Sequence, residues 1–334
     1  MMSYLPHSLL FSSSLFMSTL IALSSNHWLM MWLSMELNLL AFLPLMTLSS
    51  QKQETESMIK YFLAQATGSI LFLFSALFLL PSLFSDNLNF PMMTLTLGLL
   101  FKLGVVPCHF WFPNVMASSS WTICMLLATW QKIIPLWIIM SHALPTTSFL
   151  LLLSGTSSAL LGGLGGLNQT QIQPLLAYSS INHTGWILTS SSLSSSSAIF
   201  YFFIYSIILI PMMNSFKTLS FNFYKLQSSM PLTSKLPSQS VILLLSLAGL
   251  PPLLGFIPKL IIILLMMSKS LFIPCLVLIS GSLISLFFYL NLLFNILINN
   301  KKFFIKASPT PINLPINLSI ISLSLLLPSP MILL

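Results

Sequence analysis

Arginine is absent from the chain, and only four acidic residues, Glu36, Glu54, Glu56 and Asp86, stand against twelve lysines, for a formal net charge of +8. Charged residues make up 5% of the 334, too few to solvate the surface of a water-soluble protein of this size. The lysines divide between short loops and the middle of apolar runs, so they form no basic face, and nucleic acid is excluded as a partner. Cysteine is scarce too. Cys108, Cys124 and Cys275 are far apart and lie in or beside apolar runs, which leaves no CxxC pair, no disulfide framework and no cluster for iron–sulfur ligation. They read as small buried hydrophobes. No glycine-rich phosphate loop follows a strand and opens a helix; Gly162, Gly163, Gly165 and Gly166 read instead as sites of close helix approach in a membrane.

What the sequence has is apolar length. Hydrophobic residues make up 56% of it, in runs bounded by polar or proline punctuation. Eleven such runs are long enough to cross a bilayer, at about 5–23, 27–48, 58–80, 91–112, 117–142, 147–167, 174–190, 196–215, 239–267, 271–297 and 314–333. The expected fold is an all-α polytopic membrane protein. The first run has no basic segment before it and no small-residue cleavage site, so it reads as a retained span. If the N-terminus lies on one side, the loops of that side contain Lys52, Lys217, Lys225, Lys235, Lys301, Lys302 and Lys306, against Lys269 on the other. The positive-inside rule then places the N-terminus inside, and an odd number of spans places the C-terminus outside. The string SSQKQETES reads as an ordinary polar loop, Lys60 as an interfacial anchor that snorkels, and 216–237 as a solvated inner loop.

Charges at the centres of spans are the anomaly. The run from Pro91 to Phe112 would rise roughly 33 Å as a helix and places Lys102 near the midplane, where a charged lysine costs at least ~2.5–3.5 kcal/mol and must face protein or water. Pro107 supplies no N–H for the carbonyl of Leu103, and Gly104 is permissive beside it, so the helix is expected to break next to the charge. Glu36 sits at the same depth in the second run, the only acid inside any span, and a buried acid and a buried lysine offset one another as a pair. Lys132 is deep in the fifth run, one turn before Pro135. In the seventh, Tyr178, Ser179, Ser180, Asn182 and His183 make a stretch too polar to face lipid; His183 reads either as a proton relay or as a structural hydrogen-bonding group. His109, among aromatics, reads as a packing residue. The ninth run contains AGLPPLLGFIPK: Pro251 and Pro252 leave the carbonyls of Leu247 and Ala248 without helical donors, a second broken helix with Lys259 beyond the break.

The broken, lysine-bearing helix is thus the fourth of the first five spans and the fourth of the next five. This predicts two five-helix repeats, 1–142 and 143–297, inverted relative to one another because five is odd, followed by a C-terminal loop and helix, 298–334. It is the plan of transporters with midplane sites in broken helices.

The strings ALSSNHWLMMWLSMELNLLAFLPL, IKYFLAQATGS, KLGVVPCHFWFP, LLATWQKIIPL, GGLNQTQ, LAYSSINHTGW and LAGLPPLLGFIPK closely resemble, in order, the subunit 2 family of mitochondrial NADH:ubiquinone oxidoreductase, respiratory complex I. That family is similar to the antiporter-like subunits of bacterial complexes and of multisubunit sodium/proton antiporters, and its animal form looks shortened by three N-terminal helices. The resemblance implies a multi-pass, proton-translocating membrane-arm subunit of the mitochondrial inner membrane. Glu36 and Lys102 would be the charge pair of the first repeat, Lys132 the central relay lysine and Lys259 the lysine of the second broken helix, with His183 a further candidate. It implies no cofactor in this chain, with NADH, FMN, iron–sulfur clusters and ubiquinone bound by other subunits. The implied partners are other membrane-arm subunits, neighbouring antiporter-like and accessory ones, and membrane lipids such as cardiolipin. One departure stands out: where the family commonly has a basic pair before LAYSSI, this chain has Gln173 and Pro174.

Overall fold

A computed structural model describes residues 6–47, 52–79, 89–141, 145–218 and 238–303. Thirteen helices make up its regular structure among these residues: α1 (Pro6–Ser24), α2 (Trp28–Met46), α3 (Lys52–Phe78), α4 (Asn89–Leu103), α5 (Trp111–Ser118), α6 (Trp121–Ala128), α7 (Trp130–Ser141), α8 (Pro145–Leu167), α9 (Ile172–Leu193), α10 (Ser195–Thr218), α11 (Ser238–Ala248), α12 (Phe256–Ser268) and α13 (Phe272–Phe303). Among the described residues, six helical stretches are long and apolar enough to cross a membrane: Trp28–Met46, Lys52–Phe78, Trp121–Ser141, Thr147–Leu167, Ser195–Lys217 and Phe272–Phe294. A helix satisfies its own backbone polar groups in hydrocarbon, and among the described residues the apolar runs take that form. The expected eleventh span, 314–333, and Lys225, Lys235 and Lys306 lie outside the described residues.

Two corrections concern the expected fourth and fifth runs. The fourth run is not confined to 91–112: α4 ends at Leu103, and the chain resumes helix in α5 through Ser118, so residues expected to open the fifth run belong to the broken fourth. The fifth run is itself interrupted at Thr129, between α6 and α7. There the Thr129 hydroxyl donates to the Met125 carbonyl at 2.7 Å, a side-chain bond that competes with the helical ladder. A third correction falls on SSQKQETES, expected as a loop. Residues from Lys52 onward form the first turns of α3, where Glu54 is buried, an acid at the favourable end of the helix dipole. Lys60 pairs with Glu56 at 2.6 Å one turn away, both exposed, a contact that contributes little in water.

The chain divides into two compact units, Met1–Gly155 and Thr156–Leu334. In the first, α2 packs on α1 and α3, α3 on α4 and α5, and α7 on α1, α4 and α6. In the second, α10, α12 and α13 all pack on α9. The result is that residues from Ile172 to Ser191 of α9 are buried almost without interruption, on every face. Pro174 falls in the first turn, where no N–H is required.

The glycines of the α8 end do what their spacing predicts. A Cβ on Gly162 would lie 2.7 Å from the Asn182 backbone nitrogen, and one on Gly163 2.8 Å from the carbonyl of Gly281, so α9 and α13 reach backbone contact with α8.

A serine-rich membrane protein must also hide its hydroxyls, and here they bond back to their own helix. Ser179, Ser180, Thr184, Thr189, Ser190 and Ser191 of α9 each donate to a carbonyl three or four residues earlier. The polarity that the sequence gives this helix therefore reduces largely to Asn182 and His183.

Candidate functional site

In the first unit, Lys102 and Lys132 are 7% and 3% exposed. Lys102 occupies the last turn of α4, and the way that helix ends explains its position. Gly104 has φ +67; its N–H donates to the Phe101 carbonyl at 3.2 Å and that of Val105 to Leu100 at 3.2 Å. This is the left-handed glycine termination that helices commonly use, and it is glycine, with Pro107 only following, that ends the helix. Two side chains complete the end. Gln65 of α3 donates its amide to the Lys102 carbonyl at 3.1 Å, and the Trp111 indole donates to Phe101 at 3.2 Å. Neither residue is conspicuous in the sequence, because its role exists only once α3 and α5 flank the break.

Glu36 on α2 lies within electrostatic reach of Lys102, but the two make no ion pair within 4.0 Å among the described residues. Its Oε1 is buried without a hydrogen-bond partner, an open acceptor beside a buried cation. Lys132 lies over the Phe112 ring of α5, 4.9 Å from its centroid, a cation–π contact between the fifth span and the far half of the broken fourth. The adjacent Gln131 donates to Asn38 of α2 at 3.0 Å, joining the helix of Lys132 to the helix of Glu36 two residues from the acid. The first unit thus places Glu36, Lys102 and Lys132 on α2, α4 and α7, with α7 tied to α2 by the Gln131–Asn38 bond and the end of α4 to α3 by Gln65.

The second unit repeats the device. Gly249 has φ +82; its N–H donates to Ser246 at 3.1 Å and that of Leu250 to Leu245 at 3.5 Å, so α11 ends as α4 does. The carbonyl of Ala248, deprived of a helical donor by Pro252, accepts from Lys259 Nζ of α12 at 3.0 Å. Lys259, 6% exposed, therefore caps the break from its far side, whereas Lys102 precedes its own. His183 is buried on α9 with Nδ1 2.9 Å from the Tyr201 hydroxyl of α10 and its ring 5.1 Å from that of Tyr205. Of the sequence candidates, Glu36, Lys102 and Lys132 fall in the first unit, Lys259 and His183 in the second. His109, near the start of α5, is buried and stacks on Phe110.

Gly249 gives the break a sharp test. A Cβ there would sit 2.7 Å from Lys259 Nζ, and a left-handed alanine costs roughly 1–2 kcal/mol by itself. Gly249→Ala is expected to displace the ammonium from Ala248 and to lower the melting temperature by several degrees, read by thermal unfolding in detergent extracts; a wild-type melting temperature in the variant contradicts a break held by this glycine and Lys259.

No group of three or more His, Cys, Asp and Glu able to hold a metal occurs among the described residues. What remains is buried, titratable and cationic. The fold and site define a polytopic helical membrane protein with buried lysines set beside helix breaks. The chain belongs to the NADH:quinone oxidoreductase/Mrp antiporter transmembrane family, whose model matches residues 25–285. It is 44% identical over 284 residues to NADH-ubiquinone oxidoreductase chain 2 of Lumbricus terrestris, covering 84% of each chain, and 40% identical over 306 residues to that of Xenopus laevis, covering 89% of this chain and 88% of the relative. A chain of respiratory complex I from Thermus thermophilus superposes with a TM-score of 0.79 at 24% identity, over 98% of this chain and 78% of that one. A chain of the Mrp complex from a Dietzia species superposes with a TM-score of 0.76 at 18% identity, over 90% and 61%.

Proposed function

We propose that the chain is a proton-translocating membrane-arm subunit of the mitochondrial NADH:ubiquinone oxidoreductase, moving protons across the inner membrane through Glu36, Lys102, Lys132, Lys259 and His183. The observation that carries this is the burial of three lysines, two of them against helix breaks built alike in separate units. A lysine can release a proton to the next base and be recharged from the input side, one proton per transfer, and a nearby carboxylate biases which state is favoured.

The repeated glycine-ended break supports the plan of two inverted five-helix repeats, 1–142 and 143–297, with a C-terminal helix beyond. The chain's part is proton transfer alone: electrons pass through NADH, FMN, iron–sulfur clusters and ubiquinone in other subunits, and the driving free energy arrives from them. Its partners are neighbouring antiporter-like and accessory subunits and membrane lipids.

A free-standing antiporter would use the same lysines, and the likeness to the Mrp chain favours it as a second reading. One preparation separates the two. In detergent extracts of inner membranes the chain should co-migrate with NADH dehydrogenase activity on native gels, and in intact membranes protease should cleave within 216–237, the stretch the sequence predicts as an inner loop, only from the matrix side. A monomer with its own transport favours the antiporter; cleavage from the intermembrane side overturns the orientation.

A further inference from the structure

The second unit holds a buried group of aromatic hydroxyls that the lysine row does not use. Tyr201 and Tyr205 of α10 and Tyr289 of α13 are all 3% exposed or less. Tyr201 meets His183 Nδ1 at 2.9 Å, Tyr205 lies ring to ring with the same histidine, and Tyr289 stands beside Ser179 of α9.

We infer that Tyr201 is a positioning residue for His183, holding Nδ1 so that the histidine gains and loses its proton at Nε2. The inference rests on the reading of His183 as part of the proton route. A phenol suits this task because it is both donor and acceptor. Toward a neutral imidazole the Tyr201 hydroxyl donates to Nδ1, which fixes the proton on Nε2. Toward an imidazolium the Nδ1–H donates to the phenol oxygen. Passing between the two states needs only rotation of the hydroxyl, with the ring and its packing unmoved. A carboxylate in the same place would hold the histidine charged, and an apolar residue would leave Nδ1 without this partner in a dry cluster. The titratable groups on the helices packed against α9 are Tyr201, Tyr205 and Lys217 on α10, Lys259 on α12, and Cys275, Tyr289, Lys301 and Lys302 on α13, and α8 carries none; of these, Tyr201 and Tyr205 lie against the His183 ring.

The test uses the assembled complex in vesicles, with NADH-driven proton uptake followed against pH for Tyr201→Phe, His183→Gln and the double variant. Phenylalanine fills the volume, and Tyr205→Phe serves as a control of equal size. Bonds to an ion are stronger than bonds between neutral groups, so loss of the hydroxyl disfavours the imidazolium more than the imidazole. Tyr201→Phe should lower uptake several-fold and move the histidine limb of the profile to lower pH. His183→Gln should abolish that limb, and the double variant should be no worse than His183→Gln. If the limb stays in place in Tyr201→Phe, or the loss recurs undiminished in the His183→Gln background, Tyr201 acts only in packing and the inference is overturned. If His183→Gln itself pumps like wild type, the relay role of His183 fails, a different outcome from failure of the Tyr201 assignment. Should Tyr201→Phe not assemble, Tyr201→Gln carries the test: its amide can face Nδ1 as donor or acceptor and should keep the limb near its wild-type position, and a limb displaced there overturns the inference.

Discussion

Complexes carrying Glu36→Gln or Lys102→Met are expected to lose most of their coupled turnover, and the double variant to assemble better than the sum of the single defects allows. Lys102 is buried at the end of α4, with Glu36 in electrostatic reach and an unpartnered carboxylate oxygen facing no other donor among the described residues. Removing the acid leaves a buried cation without its counter-charge, and removing the lysine leaves the carboxylate in the same position; an unpaired buried charge is the costly case. Removing both leaves neither. Interacting sites give coupling energies of roughly 0.5–3 kcal/mol in such cycles. The two groups stand apart rather than in an ion pair, so a coupling toward the lower end of that range is expected for assembly. On the proposed route both charges take part in proton transfer, so turnover should fall in all three variants. Additive assembly defects measured on native gels contradict the pairing.

The fold was legible because hydrocarbon leaves a chain few choices. An apolar run must be helix, and a proline or glycine inside one marks where the backbone needs outside help; Gly104, Pro107 and Pro251–Pro252 announced both breaks. The orphaned carbonyl of Ala248 could be named from Pro252 alone. That Lys259 satisfies it could not, since the bond spans eleven residues across a turn of undetermined path. Gln65, the Gln131–Asn38 bond and Tyr201 were illegible for the same reason: each is an ordinary polar residue until a helix from elsewhere in the chain is placed against it, 93 positions away in the case of Asn38 and Gln131. The interruption at Thr129 was missed because the only breaker in that span, Pro135, lies inside α7. The polarity of α9 rightly marks a helix that faces protein rather than lipid, while the sequence does not show that its serines and threonines bond three or four residues back. The charged residues around Glu54 read as a loop, while α3 already begins at Lys52.

Lys132 separates proton transfer from scaffolding most cleanly. It is 3% exposed, lies over Phe112 and sits next to the Gln131–Asn38 bond that ties α7 to α2. A packing residue in that place tolerates a side chain of similar length, and a fixed charge tolerates another cation. A relay tolerates neither, because it needs a group that is charged in one step and neutral in the next, and a guanidinium does not release its proton in a protein. Lys132→Met should assemble normally and lose roughly 10²-fold or more of its proton-coupled turnover, the scale on which positioned acid–base groups act. Lys132→Arg should be nearly as damaged although the charge is kept. The deciding measurement is proton uptake per NADH oxidised in vesicles reconstituted with complexes whose full assembly has been checked on native gels. The account predicts that both variants fall far below wild type; if fully assembled Lys132→Met and Lys132→Arg complexes both take up protons at the wild-type rate, the buried lysines are scaffold and the proton route lies elsewhere.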